Sequence, residues 1–228
     1  MQESSLHATL KILLSKPGDQ IEAPVDGFVI DIMHDDQLIE IQTGNFAALK
    51  YKLPTLLDKF PIFLVYPIPV EKWILRELDP EGTSAKKRKS PKHGRVEQLF
   101  NEIVRIPHLV MHQNFSLLVL MTKELEIWQN DGKGSWRRNG WSIKDRILLD
   151  IVQRYEFRSP KDYLSLLPGN LPARFTCLQI AGMLSIPHNL ARRMVYSLRM
   201  MEIIERVGKR GRAFVYQIIS DQLLEPSR

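Results

Sequence analysis

Residues Gly27 to Thr43 read GFVIDIMHDDQLIEIQT. Two apolar alternations, Gly27 to Met33 and Gln37 to Gln42, flank the polar triplet His34-Asp35-Asp36. Short runs of that kind joined by a brief polar turn predict a pair of neighbouring strands. Each arm carries a carboxylate, Asp31 at the end of the first alternation and Glu40 inside the second. Opposed carboxylates on adjacent strands repel, and they are costly in a low dielectric unless a cation lies between them. Magnesium is such a cation, since one or two carboxylates with phosphate oxygens and waters satisfy it. Beside a phosphodiester it would polarise the phosphate, lower the pKa of a bound water and stabilise the charge that develops. The plainer alternative is that Asp31 caps a strand end and Glu40 faces water beside a lysine.

Outward from this stretch, Leu6, Leu10, Leu13 and Leu14 have helical spacing, and Lys16-Pro17-Gly18-Asp19 ends that helix. A strand is expected around Gln20 to Ala23. After Thr43-Gly44-Asn45 the period changes, with Phe46, Leu49, Leu53, Leu56 and Leu57 on one helical face and Asn45 as its cap. Pro54 argues against a single straight helix there. Phe60 to Pro67 and Val70 to Leu78 read as two strands, which with the preceding helix suggests a crossover within a mixed sheet. Glu81 to Arg95 lacks apolar anchors and reads as a basic loop. A helix over Val96 to Ile106, a strand over Phe115 to Met121 and its partner over Glu124 to Trp128 follow. Ile143, Ile147, Leu148 and Ile151 predict a helix over Trp141 to Tyr155, and Ser159-Pro160 caps another.

The order of helix, Glu22, Asp31, Glu40-Ile41-Gln42 and helix resembles the PD-(D/E)xK nuclease superfamily, over roughly Leu6 to Tyr66. In that family a glycine shortly precedes the first acid, as Gly27 does in GFVID, and Glu-x-Lys lies on the next strand. The resemblance implies Asp31 and Glu40 as magnesium ligands (manganese a substitute), Ile41 as a backbone-carbonyl ligand and Glu22 as an additional acid. Gln42 stands where the family carries lysine; it would position the attacking water but supplies no positive charge. Lys50 and Lys52 are the candidates for that missing charge, with Lys11 a third.

The carboxy-terminal stretch FTCLQIAGMLSIPHNLARRMVYSLRMMEIIERVGKRGRAFVYQI, Phe175 to Ile219, reads as helix, turn, helix and two-stranded hairpin. It resembles the winged helix-turn-helix family. Thr176 caps the first helix; Ile180, Ala181 and Leu184, then Leu190, Met194, Leu198 and Met201, supply a core. The resemblance implies that the second helix enters a DNA groove, presenting Arg192, Arg193 and Arg199, while Lys209, Arg210 and Arg212 at the hairpin tip grip phosphate. A winged helix that contacts protein is the alternative.

The 228 residues carry 32 basic and 26 acidic side chains, a net charge of +6, which is compatible with a nucleic-acid partner. Cys177 is the single cysteine, which excludes an intrachain disulfide and a zinc site built on cysteines. The opening residues lack the apolar run of a signal peptide, and no stretch reaches the roughly 18 apolar residues that span a bilayer. A cytoplasmic protein without a membrane partner is expected. GKGS lacks the spacing of a phosphate-binding loop, and the six histidines show no metal-ligand spacing. Two basic stretches remain. SAKKRKSPKHGR, with Lys87 and Arg88, reads either as a contact along a phosphate backbone or as a solvated loop. GKGSWRRNGW, with Arg137 and Arg138, either stacks bases on tryptophan and clamps phosphate with arginine or packs its tryptophans near a domain junction.

Together these readings give an α/β chain. A restriction-endonuclease-like mixed sheet with flanking helices is expected over 1–130, a helical connector over 131–167 and a winged helix-turn-helix domain over 168–228. The function they imply is magnesium-dependent endonucleolytic cleavage of double-stranded DNA, with a possible homodimer. Two alternatives stay open: a catalytically inactive, nuclease-like DNA-binding protein or regulator, and a protein-interaction component of a defence or repair complex.

Overall fold

The computed structural model describes residues 3–77, 87–136 and 139–219. The fold is mixed α/β, with a seven-stranded sheet, flanking helices and a separate two-stranded sheet.

The expected neighbouring strands are present. β2 (Phe28–His34) and β3 (Gln37–Ile41) pair antiparallel, Ile32 opposite Ile39 and His34 opposite Gln37. Asp35 takes a left-handed φ of 48° in the turn, a conformation a short polar side chain tolerates. β1 (Gln20–Val25) pairs with β2 across Asp26-Gly27. Both turn residues have positive φ, 49° and 81°, as a tight hairpin turn matched to strand twist requires. α1 (Ser5–Leu14) begins at Ser4, whose hydroxyl accepts from the His7 N–H, and buries Leu6 and Leu10.

The sheet runs in the order β1, β2, β3, β4 (Ile62–Arg76), β6 (Phe115–Asn130) and β7 (Trp141–Phe157), with β5 (Lys87–Lys89) paired on β4. Three expectations need correction. Phe60 to Pro67 and Val70 to Leu78 are not two strands. One strand, β4 (Ile62–Arg76), runs through Pro67 and Pro69, while Leu78 lies outside the described residues. The two prolines share parity, so both missing N–H groups fall on one side of the strand. β6 (Phe115–Asn130) is likewise continuous, and Glu124 to Trp128 extend it instead of pairing with it.

The third correction is larger. Trp141 to Tyr155 is not a helix but most of β7 (Trp141–Phe157), so 131–167 is no helical connector. Its apolar residues fit both periods, because Trp141, Ile143, Ile147, Leu149 and Ile151 also alternate. β-Branched side chains and pairing with β6 decide for the strand. Asp145 interrupts the alternation; its carboxylate accepts from the Ser5 N–H at 2.9 Å and from the Ser5 hydroxyl at 2.5 Å, which ties down the start of α1.

The chain folds into two compact units, each assembled from three segments and not from the consecutive blocks 1–130, 131–167 and 168–228. The first unit takes residues 1–43, 65–95 and 119–155; the second takes 44–64, 96–118 and 156–228. In the second, a 3-10 turn (Phe46–Lys50), α2 (Lys52–Leu57) and α3 (Phe100–Ile103) bury Phe46, Leu53, Leu56, Phe100 and Ile103. The Glu102 carboxylate accepts from the Phe46 N–H at 2.9 Å. Phe157 stacks on Tyr163 at 4.4 Å. The same unit holds α4 (Cys177–Leu184), α5 (His188–Met200) and the hairpin of β8 (Ile204–Arg210) and β9 (Ala213–Ile218), in the order the winged-helix reading expects.

Thr176 and Gln179 close a capping box at the start of α4, each side chain accepting from the other's backbone N–H. Phe175 bridges to Tyr216 through paired backbone hydrogen bonds, fastening the hairpin to the head of α4. No helix among the described residues is long and apolar enough to cross a membrane.

Candidate functional sites: a compensated carboxylate and a basic groove

The strand register places the acids of the first unit in a row. Ile32 opposite Ile39 sets Asp31 and Glu40 on the next rung, facing the same side. Ala23 opposite Ile30 and Ile21 opposite Ile32 set Glu22 at the rung of Asp31 on the other neighbour, with a left-handed φ of 54°. Three carboxylates thus span β1, β2 and β3.

The positive charge that faces Glu22 and Asp31 comes from α1. His7 and Lys11, four residues apart, share one face of the helix. The His7 Nε2 lies 3.0 Å from the Ile41 carbonyl and 3.3 Å from Asp31 Oδ2, and its Nδ1 contacts Glu3. Lys11 Nζ lies 2.8 Å from Glu3, 3.0 Å from Glu22 and 3.7 Å from Asp31 Oδ1. Asp31 Oδ2 also accepts from the Ile41 N–H at 2.8 Å.

The protonation states follow. The hydrogen bond to Asp31 raises His7 to about 9 against the opposing effect of burial, so the imidazole is cationic at neutral pH. Burial pushes the Asp31 carboxyl up, but the His7 and Ile41 hydrogen bonds and the charges of His7 and Lys11 outweigh it and leave the group below its ordinary value. Burial also acts against the charged form of Lys11, and the hydrogen bonds to Glu3 and Glu22 with the charge of Asp31 overcome it.

These residues do not fit the magnesium site the resemblance implies. Two cations already stand against Asp31, one of its oxygens is committed to a backbone N–H, and the Ile41 carbonyl faces His7 instead of an open position. Among the described residues no three His, Cys, Asp or Glu side chains gather as metal ligands. Glu40 is buried, 8% exposed, and Glu22 is turned outward toward Lys11. Gln42 is half-buried, and its backbone N–H donates to the Val65 carbonyl. Lys50 and Lys52 belong to the second unit. Lys11, third among the sequence candidates, is the lysine beside Asp31. His7 was legible only as the residue four before Lys11 on the polar flank of a leucine face.

The second unit carries a groove of about 580 Å³ between α5 and the hairpin. Arg192, Tyr196 and Arg199, at helical spacing, line one wall, and Arg212 and Phe214 line the other. All of Arg192, Arg199, Lys209, Arg210 and Arg212 are exposed. Lys209 and Arg206 lie over the Phe214 ring at 5.2 and 4.7 Å. Arg193 differs: it is half-buried and donates to the Asn101 side chain at 2.5 Å, holding α5 against α3. Lys87 lies over Trp73, and Arg88 faces the opposite side of β5 toward Trp128. Arg137 and Arg138 lie outside the described residues.

Residues 4–158 match the model of a family described as a domain of unknown function (DUF8091). An uncharacterized protein of Treponema pallidum (strain Nichols) is 32% identical over 217 residues, covering 95% of this chain and 85% of that protein. No solved structure matches.

Proposed function

The chain belongs to the DUF8091 family, and from that premise we propose that it is a DNA-binding protein that grips duplex through its winged helix-turn-helix module. The observation that supports this reading is the row Arg192, Tyr196 and Arg199 on α5, continued by Arg212 across the groove. Arginine forks pair with phosphate oxygens, and a row of them beside a basic hairpin tip matches a backbone that carries charge at regular intervals. In this reading the first unit has a restriction-endonuclease-like sheet in which Lys11 and His7 neutralise Asp31, so the acids serve the fold.

Fluorescence anisotropy with a labelled duplex at two salt concentrations tests the reading. Binding should weaken steeply as salt rises, and Arg192→Ala with Arg199→Ala should flatten the log–log salt slope by about two. Duplex binding that ignores both substitutions would overturn it. The magnesium-dependent nuclease reading rests on the shared rung of Asp31 and Glu40. Cleavage of DNA with magnesium or manganese, abolished by both Asp31→Ala and Glu40→Ala, would establish that enzyme instead.

A further inference from the structure

Two basic stretches far apart in the chain, one carrying Arg88 and Lys92 and the other Trp136, both reach one cleft in the first unit. The cleft has a volume of about 730 Å³. Arg88 and Lys92 come from the basic segment, Trp136 from the glycine-rich turn, and Lys72, Trp128 and Arg146 from strands β4, β6 and β7. Strand alternation accounts for the selection. In β5, Lys87 and Lys89 lie over Trp73, whereas Arg88 between them takes the other face, 6.0 Å from the centroid of Trp128.

The floor is built and internally satisfied. Glu126, 3% exposed, accepts from Lys72 at 2.6 Å and from the Trp128 indole at 3.0 Å, with Arg146 at 3.8 Å. The rim is held by two backbone contacts. Gly94 donates to the Pro69 carbonyl at 2.9 Å, and Gly134 donates to the Gly140 carbonyl at 3.0 Å. At neither glycine is there room for a Cβ, which would stand 2.2 Å from the Pro69 oxygen or 1.9 Å from the Trp141 oxygen. Upon this fixed frame Trp136 is 82% exposed, with Arg88 and Lys92 exposed in the same cleft.

We propose that this cleft binds a nucleotide, its planar base stacked on Trp136 and its phosphate held by Arg88 and Lys92. A large exposed aromatic face is a poor use of surface in water but a good platform for a base, and cations at the rim supply the phosphate contact. The site size suits a mononucleotide. The same chemistry is offered by a free nucleotide and by an unpaired strand, whose bases are not stacked on a partner. This site lies in the first unit, and the groove proposed to bind duplex lies in the second.

The test uses the full chain with two probes, AMP followed by isothermal titration calorimetry and fluorescein-labelled oligo(dT) followed by anisotropy. Either probe should bind saturably, and Trp136→Ala should weaken binding about tenfold or more, while Trp136→Phe, which keeps a ring, retains most of it. Arg88→Ala with Lys92→Ala should weaken it comparably and reduce its salt dependence. AMP bound as well as oligo(dT) identifies a free-nucleotide site; oligo(dT) alone identifies a strand site. Absence of binding by both, or binding indifferent to Trp136→Ala and to the double substitution, overturns the proposal. Duplex affinity measured on the same variants should stay unchanged, which separates this result from failure of the Arg192 groove.

Discussion

The imidazole of His7 stands 3.3 Å from the carboxylate of Asp31, joining α1 to β2 by an ion pair that also engages the backbone of Ile41. His7 has a folded-state value of about 9 against 6.5 for the free side chain. A raised value means that the folded protein holds a proton the unfolded chain releases. The stabilisation is therefore complete below about pH 6.5 and is lost as pH rises through about 9. At 19% side-chain exposure the loss is at most about 3 kcal/mol. Urea midpoints measured across that range should fall for the natural chain and stay nearly level for His7→Gln. A level profile for both would show that the pair contributes nothing.

Removing the acid is worse than removing either cation alone. Asp31→Ala strips the acceptor from the Ile41 N–H and leaves His7 and Lys11 to be balanced by Glu3 and Glu22 alone. A cost of about 2–3 kcal/mol is expected, discounted from a fully buried pair because the site is partly open. Millimolar magnesium should leave the melting temperature of the natural chain unchanged, since a ligand that binds the folded state must raise it. A rise that disappears in Asp31→Ala would restore the metal site.

Two glycine substitutions should act in opposite directions. Gly94→Ala drives a Cβ to 2.2 Å from the Pro69 carbonyl oxygen, a backbone atom, and should cost about 2 kcal/mol or more. Gly182→Ala lies within α4 with no heavy atom within 4 Å, and should stabilise by about 0.5–1 kcal/mol through lower freedom of the unfolded chain. Thermal unfolding of the pair reads both signs in one experiment.

Adjacent arginines on α5 should separate binding from stability. Arg193→Ala loses the hydrogen bond to Asn101 and should destabilise by about 1 kcal/mol. Arg192→Ala, on the exposed groove wall, should leave the melting temperature within error and weaken duplex binding. Equal effects of the two on stability would contradict the assignment of their roles.

The parts of this fold that were legible are those whose signals are local. His34-Asp35-Asp36 announces a tight turn between two short alternations, and the strands β2 and β3 form around it. Thr176 marks the start of α4, and the apolar rows of α4 and α5 and the hairpin of β8 and β9 follow in order. In each case the deciding residues lie within a few positions of one another, so steric preference and hydrogen bonding over that span suffice.

Misreadings arose where a segment's own pattern was ambiguous. Ile143, Ile147, Leu148 and Ile151 suit a helix as well as Trp141, Ile143, Ile147 and Leu149 suit a strand. β6 alongside resolves the ambiguity by taking up the backbone hydrogen bonds of β7. Asp31 and Glu40 are recognisable in the sequence as a costly pair, and a metal ion or a helix-borne cation relieves that cost equally well.

The amino-acid order alone determined the short-range units: the acidic rungs of the β1–β3 meander and the helix-turn-helix with its hairpin. Only the tertiary structure decided which charge meets Asp31, because His7 and Lys11 reach it from another element, and which tryptophan meets which arginine, because sheet pairing brings Arg88 to Trp128. The reason is one of range: turn and capping energies act over a few residues, whereas electrostatic compensation and ligand geometry depend on distances that the folded sheet sets.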